Sequence, residues 1–338
     1  MTSPSRAGAA GLAGVTIRAF DPAADFPAAA ELISAAHRHD DIGWLPRPLE
    51  LAHEWSPTPG FRPAVDAVIA ERDGVAVGLV TVDWRLRGTK VVHDIELWVR
   101  PEDRRKGLGT ALLAWAEARA LDSIGLGEGG PPDVRHEVGG WGDSEVAGHA
   151  ELAAAHGYRV VRYGFEMRRP VAEPIADVPL PPGLEIRPVR PADHRRIWDA
   201  DAEAFEDHWE RGKRVEEDYV RWFTAPWLDT SLWQVAWDGE EVAGSVLTAI
   251  HPEENERLGL RIAWLDHVSV RRPWRRRGLA AALIASTLRI LRDRDIEVAG
   301  LGVDAENPTG ALALYERLGF RRHKTGIAYR KDLDRGDA

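Results

Sequence analysis

A dense group of positive charges stands next to a glycine in the second half of the sequence. Five arginines occupy the seven positions from Arg271 to Arg277, and Gly278 and the apolar residues 279–284 follow directly. The first-turn amides of a helix have no internal hydrogen-bond partner, and the helix dipole makes that end positive. A glycine there lets backbone N–H groups approach a ligand closely, and guanidinium groups add bidentate contacts. The pattern predicts a site for a small polyanion such as a diphosphate.

The rest of the chain is acidic, which restricts what this arginine-rich group can bind. The 338 residues contain 54 Asp+Glu and 44 Lys+Arg, with a formal net charge of −10. Nucleic-acid binding draws its affinity from many distributed phosphate contacts, so we expect no nucleic-acid partner. Trp274 is one aromatic residue among arginines and does not form a stacking platform.

The composition also excludes several kinds of chemistry. The chain has no cysteine, which excludes disulfides, thiolate metal sites and a cysteine nucleophile. The clusters of His and acidic residues at 37–41 and 53–55 lack ligand spacing, so we expect no metal. Residues 1–14 are typical of a disordered tail and not of a signal peptide, and no apolar run approaches the roughly 18 residues that span a bilayer. We expect a cytoplasmic protein without a membrane partner.

The elements that must position these residues occur twice along the chain. Three pairs of similar stretches lie in the same order at similar offsets: 15–26 and 184–195, 97–113 and 268–284, and 154–159 and 316–321. Such regular self-similarity indicates a duplicated domain. The intervening stretch 170–183 contains five prolines, which fix φ and remove backbone donors. We therefore predict domains at 15–169 and 184–333, joined by a proline-rich linker at 170–183.

Each copy has the same predicted order of elements. A strand and one or two helices precede a hairpin, a third apolar strand, the Arg/Gly loop, a helix, a strand, a helix and a terminal hairpin. Asp-Gly pairs between apolar runs, at 73–74 and 238–239, predict tight hairpin turns, and Thr325-Gly326 predicts the turn of the closing hairpin. This order predicts the α/β class, with a mixed, mostly antiparallel sheet covered by helices on both faces of each domain.

The Arg/Gly loops carry a resemblance to a known family. The segments 104–109 and 275–280 resemble the Arg/Gln-x-x-Gly-x-Gly/Ala motif of the GCN5-related N-acetyltransferases, the GNAT superfamily. The stretch "LGVDAENPTGALALYERLGF" at 301–320 is similar to the second signature of that family, and the tandem arrangement with "AFEDHW" at 204–209 resembles its mycothiol-synthase-like group. The resemblance extends from about Val15 to Leu333. It implies acetyl-CoA as the donor, with its diphosphate at the Arg/Gly loop.

The resemblance also implies cofactor contacts in both copies. In this family the strand before the loop splays from its neighbour and leaves main-chain N–H groups for the pantetheine and the thioester oxygen. The implied contacts of the second copy are Val268, Ser269, Val270, Arg275, Arg276, Arg277, Gly278, Leu279, Ala280 and Asn307. Their counterparts in the first copy are Leu97, Val99, Arg104, Arg105, Lys106, Gly107, Leu108 and Gly109. Asn307 also suits the N-cap of the following helix.

Catalytic roles follow from the same resemblance. The family uses a tyrosine at the position of Tyr315 to protonate the departing thiolate. For the general base, Asp266 and His267 are both candidates at the end of the critical strand, where their side chains alternate between faces, and we favour Asp266 slightly. The region that shapes the acceptor pocket in the family contains four candidate substrate-binding residues, Glu206, Asp207, His208 and Trp209.

The first copy keeps the loop and loses the acid. Alignment of Gly157 with Gly319 places Ala153 where Tyr315 stands and Glu145 where Asn307 stands. We therefore expect a degenerate N-terminal domain and a catalytic C-terminal domain, which transfers acetyl to a primary amine of a small molecule by direct attack. The alternatives are mycothiol synthase proper and a non-catalytic acyl-CoA-binding or regulatory protein.

Overall fold

The computed structural model describes residues 12–333 except 211, 213 and 308, and it divides into two compact units. Unit 1 comprises Met1–Val161 and Ile327–Ala338, and unit 2 comprises Arg162–Gly326. The boundaries between the units, at 161/162 and 326/327, differ from those of the predicted domains 15–169 and 184–333. The proline-rich stretch 170–183 lies inside unit 2. Most of the predicted tail, residues 1–11, lies outside the described residues.

Unit 1 alternates strands and helices. Its elements are β1 (Val15–Ala19), α1 (Phe26–His39), α2 (Pro48–Glu54), α3 (Pro63–Asp66), β2 (Ala67–Arg72), β3 (Val75–Arg87), β4 (Lys90–Val99), α4 (Leu108–Gly125), β5 (Arg135–Asp143) and α5 (Ala147–Ala155). Strands β1 to β4 pair in sequence as an antiparallel meander, and β4 pairs with β5 in parallel. The sheet of unit 1 is therefore mixed.

Both faces of this sheet are covered. Along β3, Leu79 packs into a cluster with residues of α1, and its neighbour Val80 packs into a second cluster with residues of α4. Successive side chains of a strand point to opposite faces, so an apolar run such as the one in β3 can supply both layers.

Unit 2 repeats this arrangement. Its elements are β7 (Glu185–Ile186), α6 (His194–Ala204), α7 (Glu216–Phe223), β8 (Gln234–Asp238), β9 (Glu241–Ile250), α8 (Pro252–Leu258), β10 (Ile262–Val270), α9 (Leu279–Asp293), β11 (Val298–Asp304) and α10 (Ala311–Arg317). Strands β7 to β10 pair antiparallel in sequence, and β10 pairs with β11 in parallel. On β9, Val246 packs into the cluster that contains residues of α9, and Leu247 packs into the cluster that contains residues of α6. The α/β class, the mixed sheet and the helices on both faces are confirmed.

Two strands continue across the division between the units. β6 (Arg159–Pro170) enters unit 2 at Arg162, where it pairs antiparallel with β11, and β12 (Arg321–Asp332) enters unit 1 at Ile327. In unit 1 the last described residue adjoins β5, since the Leu333 N–H donates to the His136 carbonyl oxygen at 3.1 Å. Arg330 in this segment is completely buried.

The predicted closing hairpin is wrong. β12 is one continuous strand through Thr325 and Gly326, and Gly326 is not among the glycines with positive φ. The glycine therefore takes an extended conformation, because the residues on both sides of it are paired in a sheet. No helix of the described part of the chain is long and apolar enough to cross a membrane.

Candidate active site

Strands β10 and β11 separate in the middle of unit 2. Their parallel register runs from Ile262↔Val298 to Trp264↔Gly300 and ends there. β10 nevertheless continues to Val270 and β11 continues to Asp304. In the strand order of the described residues, β10 has only β9 and β11 as neighbours. A gap therefore opens between the two strands, and the main-chain groups of β10 on that side lack sheet partners.

The direction of the β10 amides follows from one hydrogen bond. The Arg271 N–H donates to the Ala243 carbonyl oxygen at 3.0 Å, just after β10 and on the β9 side. Because successive N–H groups of a strand point to opposite edges, Val268 and Val270 direct theirs into the gap. Ser269 does not fit its predicted role as a free donor, since the same alternation directs its N–H toward β9.

Unit 1 has the same separation. The register of β4 with β5 ends at Asp94, although β4 continues to Val99. The Arg100 N–H donates to the Val77 carbonyl oxygen at 2.9 Å. By the same alternation, the amides of Leu97 and Val99 face the gap, and their contact with a cofactor stays a prediction.

The Arg/Gly loop of unit 2 ends in an open helix N-terminus. Gly278 has φ 85° and caps α9, and Arg276 also has a positive φ of 61°. The first intrahelical hydrogen bond runs from the Ala282 N–H to the Gly278 carbonyl oxygen at 3.1 Å. The amides of Leu279 and Ala280 come before it in the first turn and therefore have no partner within the helix. A Cβ added at Gly278 would meet no atom within 4 Å. The loop is thus shaped to present backbone N–H groups to an anion.

Arg275 supports this loop from behind and does not face the open side. Its guanidinium donates to the carbonyl oxygens of Val270 and Ala204 at 3.0 Å each, and to the Asp207 carboxylate at 2.9 Å. In unit 1 Arg104 makes the corresponding contacts, with the Val99 carbonyl oxygen at 3.1 Å and a bidentate pair to Asp40 at 2.6 and 2.7 Å. Arg275 and Arg104 therefore do not point to the diphosphate as predicted. Their guanidinium groups instead hold the loop in position against the preceding strand.

We expect Arg275→Ala to destabilise unit 2 by about 1–3 kcal/mol, because buried hydrogen-bond acceptors lose a charged donor. Acetyl-CoA affinity should fall with it, since the loop loses its anchor to β10. Thermal denaturation and donor titration measure the two effects, and Arg104→Ala is the matched change in unit 1. Unaltered donor affinity in a folded Arg275→Ala protein would contradict the positioning role.

The exposed cations of the two loops differ in their surroundings. In unit 2 Arg276 and Arg277 are exposed, and the recorded contact of the Arg277 side chain is a long one of 3.5 Å to the Pro182 carbonyl oxygen. In unit 1 Arg105 pairs with Glu151, and Lys106 lies 3.2 Å from Asp103. The positive charge of the unit 1 loop is therefore compensated by neighbouring carboxylates, whereas that of the unit 2 loop is available to a ligand.

Tyr315 lies in the apolar core near the end of α10. It is 6% exposed, and this burial raises the pKa of its phenol to about 12. The Phe320 N–H donates to the Tyr315 carbonyl oxygen at 3.0 Å, and in unit 1 the Tyr158 N–H donates to the Ala153 carbonyl oxygen at the same distance. The two helices end alike, so Ala153 occupies the place of Tyr315.

Asn307 forms a local turn instead of capping the helix. Its Oδ1 accepts hydrogen bonds from the Thr309 N–H at 2.8 Å and from the Thr309 hydroxyl at 2.5 Å. The N-cap of α10 is Gly310, with φ 77°. The predicted capping role is therefore wrong, because the Asx-type turn places the helix start beyond Asn307.

The two candidate bases differ in their surroundings. The register of β10 with β9 shifts at Asp266, whose side chain is solvent-accessible although protein atoms surround it closely. Because these atoms displace water from the carboxyl, the pKa of Asp266 is raised to about 6, although nearby His267 acts to lower that pKa. His267 is half-buried, and its Nδ1 lies 2.7 Å from Oδ2 of Asp201 on α6. The sequence did not single out Asp201, which no local pattern connects to His267.

The four predicted substrate-binding residues follow α6 and are only partly available. Asp207 binds both Arg272 and Arg275, and these hydrogen bonds lower the pKa of its carboxyl to about 2. Glu206 lies 4.0 Å from Arg272, and the Trp209 ring lies under the Arg162 guanidinium at 5.5 Å. His208 packs on Phe205, with their ring centroids 4.3 Å apart. Asp207 therefore belongs to the support of the loop.

Comparison with known proteins decides the family. The family model "Acetyltransferase (GNAT) family" matches residues 28–128 and 195–320. The chain belongs to this family. A mycothiol acetyltransferase of Geodermatophilus obscurus is 32% identical over 309 residues, which cover 89% of this chain and 92% of that protein. A second, from Salinispora arenicola, is 34% identical over 275 residues, 80% of this chain and 82% of that protein.

Solved structures show the same architecture. A GCN5-related N-acetyltransferase from Sphaerobacter thermophilus superposes with a TM-score of 0.71 at 28% identity, covering 96% of this chain and 98% of that one. A tandem GNAT protein from the clavulanic acid biosynthesis pathway has a TM-score of 0.67 at 17% identity, covering 96% of this chain and 100% of that one. The protein is thus a tandem GNAT N-acetyltransferase of the mycothiol-synthase-like group that uses acetyl-CoA. The gap beside β10 supplies unpaired amides and the loop at Gly278 supplies exposed cations, which suit a donor with a polar arm and a diphosphate.

Proposed function

We propose that unit 2 transfers acetyl from acetyl-CoA to a primary amine of a small molecule by direct attack. The separation of β10 from β11 after Trp264, directly before the loop that ends at Gly278, carries this proposal. The unpaired amides of β10 would receive the thioester arm, and the helix N-terminus that follows β10 in the sequence would receive the diphosphate. The absence of cysteine from the chain is consistent with direct transfer, without a thioester on the enzyme.

Each group of the site has one task in this reaction. The amides of Leu279 and Ala280, with Arg276 and Arg277, hold the diphosphate, and those of Val268 and Val270 orient the donor arm. The acceptor nitrogen forms a bond to the acetyl carbon while the carbon–sulfur bond breaks. Tyr315 gives its proton to the leaving sulfur, and either Asp266 or His267 removes the proton from nitrogen.

Two differences favour unit 2 over unit 1 as the catalytic unit. Ala153 has no proton to give where unit 2 has Tyr315, and Glu151 compensates the charge of Arg105 at the loop. Unit 1 retains the gap and the amides of Leu97 and Val99, so we propose that it is a degenerate copy that supports the fold. A cytoplasmic location remains a prediction.

We expect the purified protein to release free thiol from acetyl-CoA when a suitable amine is present. A panel of aminoglycosides, amino acids, polyamines, peptides and cysteinyl-glucosaminyl-inositol, followed by a thiol reagent and mass spectrometry, identifies the acetylated product. Acetyl-CoA alone should raise the melting temperature, because a ligand that binds only the folded state stabilises it. Failure to bind millimolar acetyl-CoA would remove the enzyme proposal.

Mycothiol synthase proper is the second candidate. The relatives in Geodermatophilus obscurus and Salinispora arenicola, which match most of this chain, are named mycothiol acetyltransferases. A clear preference for cysteinyl-glucosaminyl-inositol in the panel would select this function. The non-catalytic acyl-CoA-binding alternative is disfavoured because unit 2 retains Tyr315 within its complete family signature at 301–320. Donor binding without any acceptor turnover would restore this alternative.

A further inference from the structure

His267 and Asp201 form a pair on the α6 side of β10. Asp201 is 1% exposed, and its Oδ2 lies 2.7 Å from Nδ1 of His267. Burial alone would raise the pKa of Asp201, but His267 and Arg214 outweigh it and lower that pKa to about 2. Asp201 is therefore an anion, and its Oδ2 accepts a hydrogen bond from the Nδ1–H of His267.

This hydrogen bond fixes the imidazole. In neutral imidazole only one nitrogen carries a proton, so a proton on Nδ1 leaves the lone pair on Nε2. Within the described part of the chain, no hydrogen bond to Nε2 of His267 is recorded, and 18% of the side chain is exposed. The ring is held between Trp222 at 4.6 Å and Phe205 at 5.1 Å between centroids. Rotation that would carry Nε2 away is thereby restricted.

We propose that Nε2 of His267 takes the proton from the acceptor nitrogen, and that Asp201 is the positioning residue that holds the ring in this tautomer. The inference rests on the proposed function of unit 2. The nitrogen bonds to the acetyl carbon, the carbon–sulfur bond breaks, and the sulfur receives a proton from Tyr315. The imidazolium then returns one proton through solvent to the Tyr315 phenolate, so the products are the amide and free coenzyme A.

Among the described residues, the charged groups recorded near the imidazole come from separate elements. Asp201 contributes the negative charge of α6, Asp266 contributes a carboxyl from β10 itself, and Arg214 lies beyond Asp201. Arg214 pairs with Oδ2 of Asp201 and lies 4.2 Å from the centroid of the Trp198 ring. The helix α7 faces the imidazole with the uncharged Trp222.

Unit 1 supplies an internal comparison. Asp40 binds Arg104 of the unit 1 loop, and Asp207 binds Arg275 of the unit 2 loop, so Asp40 and Asp207 are equivalent positions. The distance in sequence between these two residues gives Ser34 as the unit 1 counterpart of Asp201. The strand position that corresponds to His267 is Glu96. The His–Asp pair is therefore absent from the described residues of unit 1 at this place, as is the tyrosine acid.

The test compares pH–rate profiles of His267→Gln and Asp201→Asn with that of the wild-type protein, using the best amine of the panel. We expect each variant to lose about 10²-fold or more in kcat near neutral pH while acetyl-CoA affinity is retained. The loss should shrink at high pH, where solvent hydroxide can take the proton that the attacking nitrogen loses. The double variant should be no slower than His267→Gln, because the two residues act as one unit.

Controls separate this role from a structural one. His323→Gln removes a histidine elsewhere in unit 2, whose Nε2 lies 4.0 Å from Glu166, and should keep the wild-type profile. If Asp201→Asn does not fold because Arg214 loses its partner, Asp201→Asn with Arg214→Met removes both charges and takes its place. The inference would be overturned if kcat fell by the same factor at every pH, or if the losses of His267→Gln and Asp201→Asn were additive in the double variant. It would also be overturned if Asp266→Asn, and not His267→Gln, showed a loss of kcat that shrinks at high pH. A wild-type protein that releases no thiol with any amine would reject both proposals.

Discussion

Gly278→Glu is expected to lower acetyl-CoA affinity of unit 2 by at least about 100-fold, and acetyl transfer with it. Gly278 has φ 85°, a region that costs a residue with a Cβ about 1–3 kcal/mol. The new carboxylate would also stand at the helix N-terminus where the diphosphate must approach, and like charges repel. Isothermal titration with acetyl-CoA and the thiol-release assay measure the two losses.

Gly278→Ala separates the two causes. Alanine imposes the same backbone strain without the charge, and the space around Gly278 is open for its Cβ. We therefore expect a smaller loss for alanine than for glutamate, and the difference reports the repulsion. Gly107→Glu introduces the same change in unit 1. A greater loss of turnover from Gly107→Glu than from Gly278→Glu would contradict the assignment of catalysis to unit 2.

Tyr315→Phe should reduce kcat by about 10–100-fold without weakening donor binding. The substitution keeps the ring that packs in the core and removes only the proton that the leaving sulfur needs. A thiolate leaves moderately well unaided, so the effect should remain below the upper end of acid–base contributions. Single-turnover kinetics with saturating acetyl-CoA isolates this step.

The pH dependence of Tyr315→Phe provides its control. Burial raises the pKa of Tyr315 to about 12, so the wild-type phenol keeps its proton over the neutral range. The ratio of wild-type to variant rates should therefore be constant over that range, in contrast to the profile expected for His267→Gln. Unchanged turnover in Tyr315→Phe would disqualify the tyrosine as the acid.

Local patterns allowed much of the fold and the donor loop to be predicted. The repeated Arg/Gly segments and the Asp-Gly turns depend on short-range spacing, and the structure places loops and hairpins at these positions. The position of Tyr315 near the end of α10 also follows from its short distance in sequence to Gly319, which lies just beyond that helix. Each of these features is determined by neighbours in the sequence, which is why the sequence alone exposes them.

Features that depend on long-range contacts were not predictable in this way. Asp201 meets His267 across 66 positions of sequence, so no spacing rule connects them. Arg275 has the same residue type as the exposed Arg276, and only the carbonyl oxygens and Asp207 behind the loop distinguish its role. At Gly326, sheet partners on both sides overrode the local preference for a turn.

The placement of the C-terminal residues in unit 1 has a consequence for biosynthesis. Unit 1 needs the β12 residues from Ile327, which are translated after unit 2, and unit 2 needs the β6 residues from Arg162, which are translated before the rest of unit 2. A nascent chain can therefore assemble most of unit 1 early but must leave one position of its sheet unfilled until the β12 residues from Ile327 have been translated. Cutting the gene within 170–183 would yield two fragments that each lack a strand, so the duplicated copies are no longer separable modules.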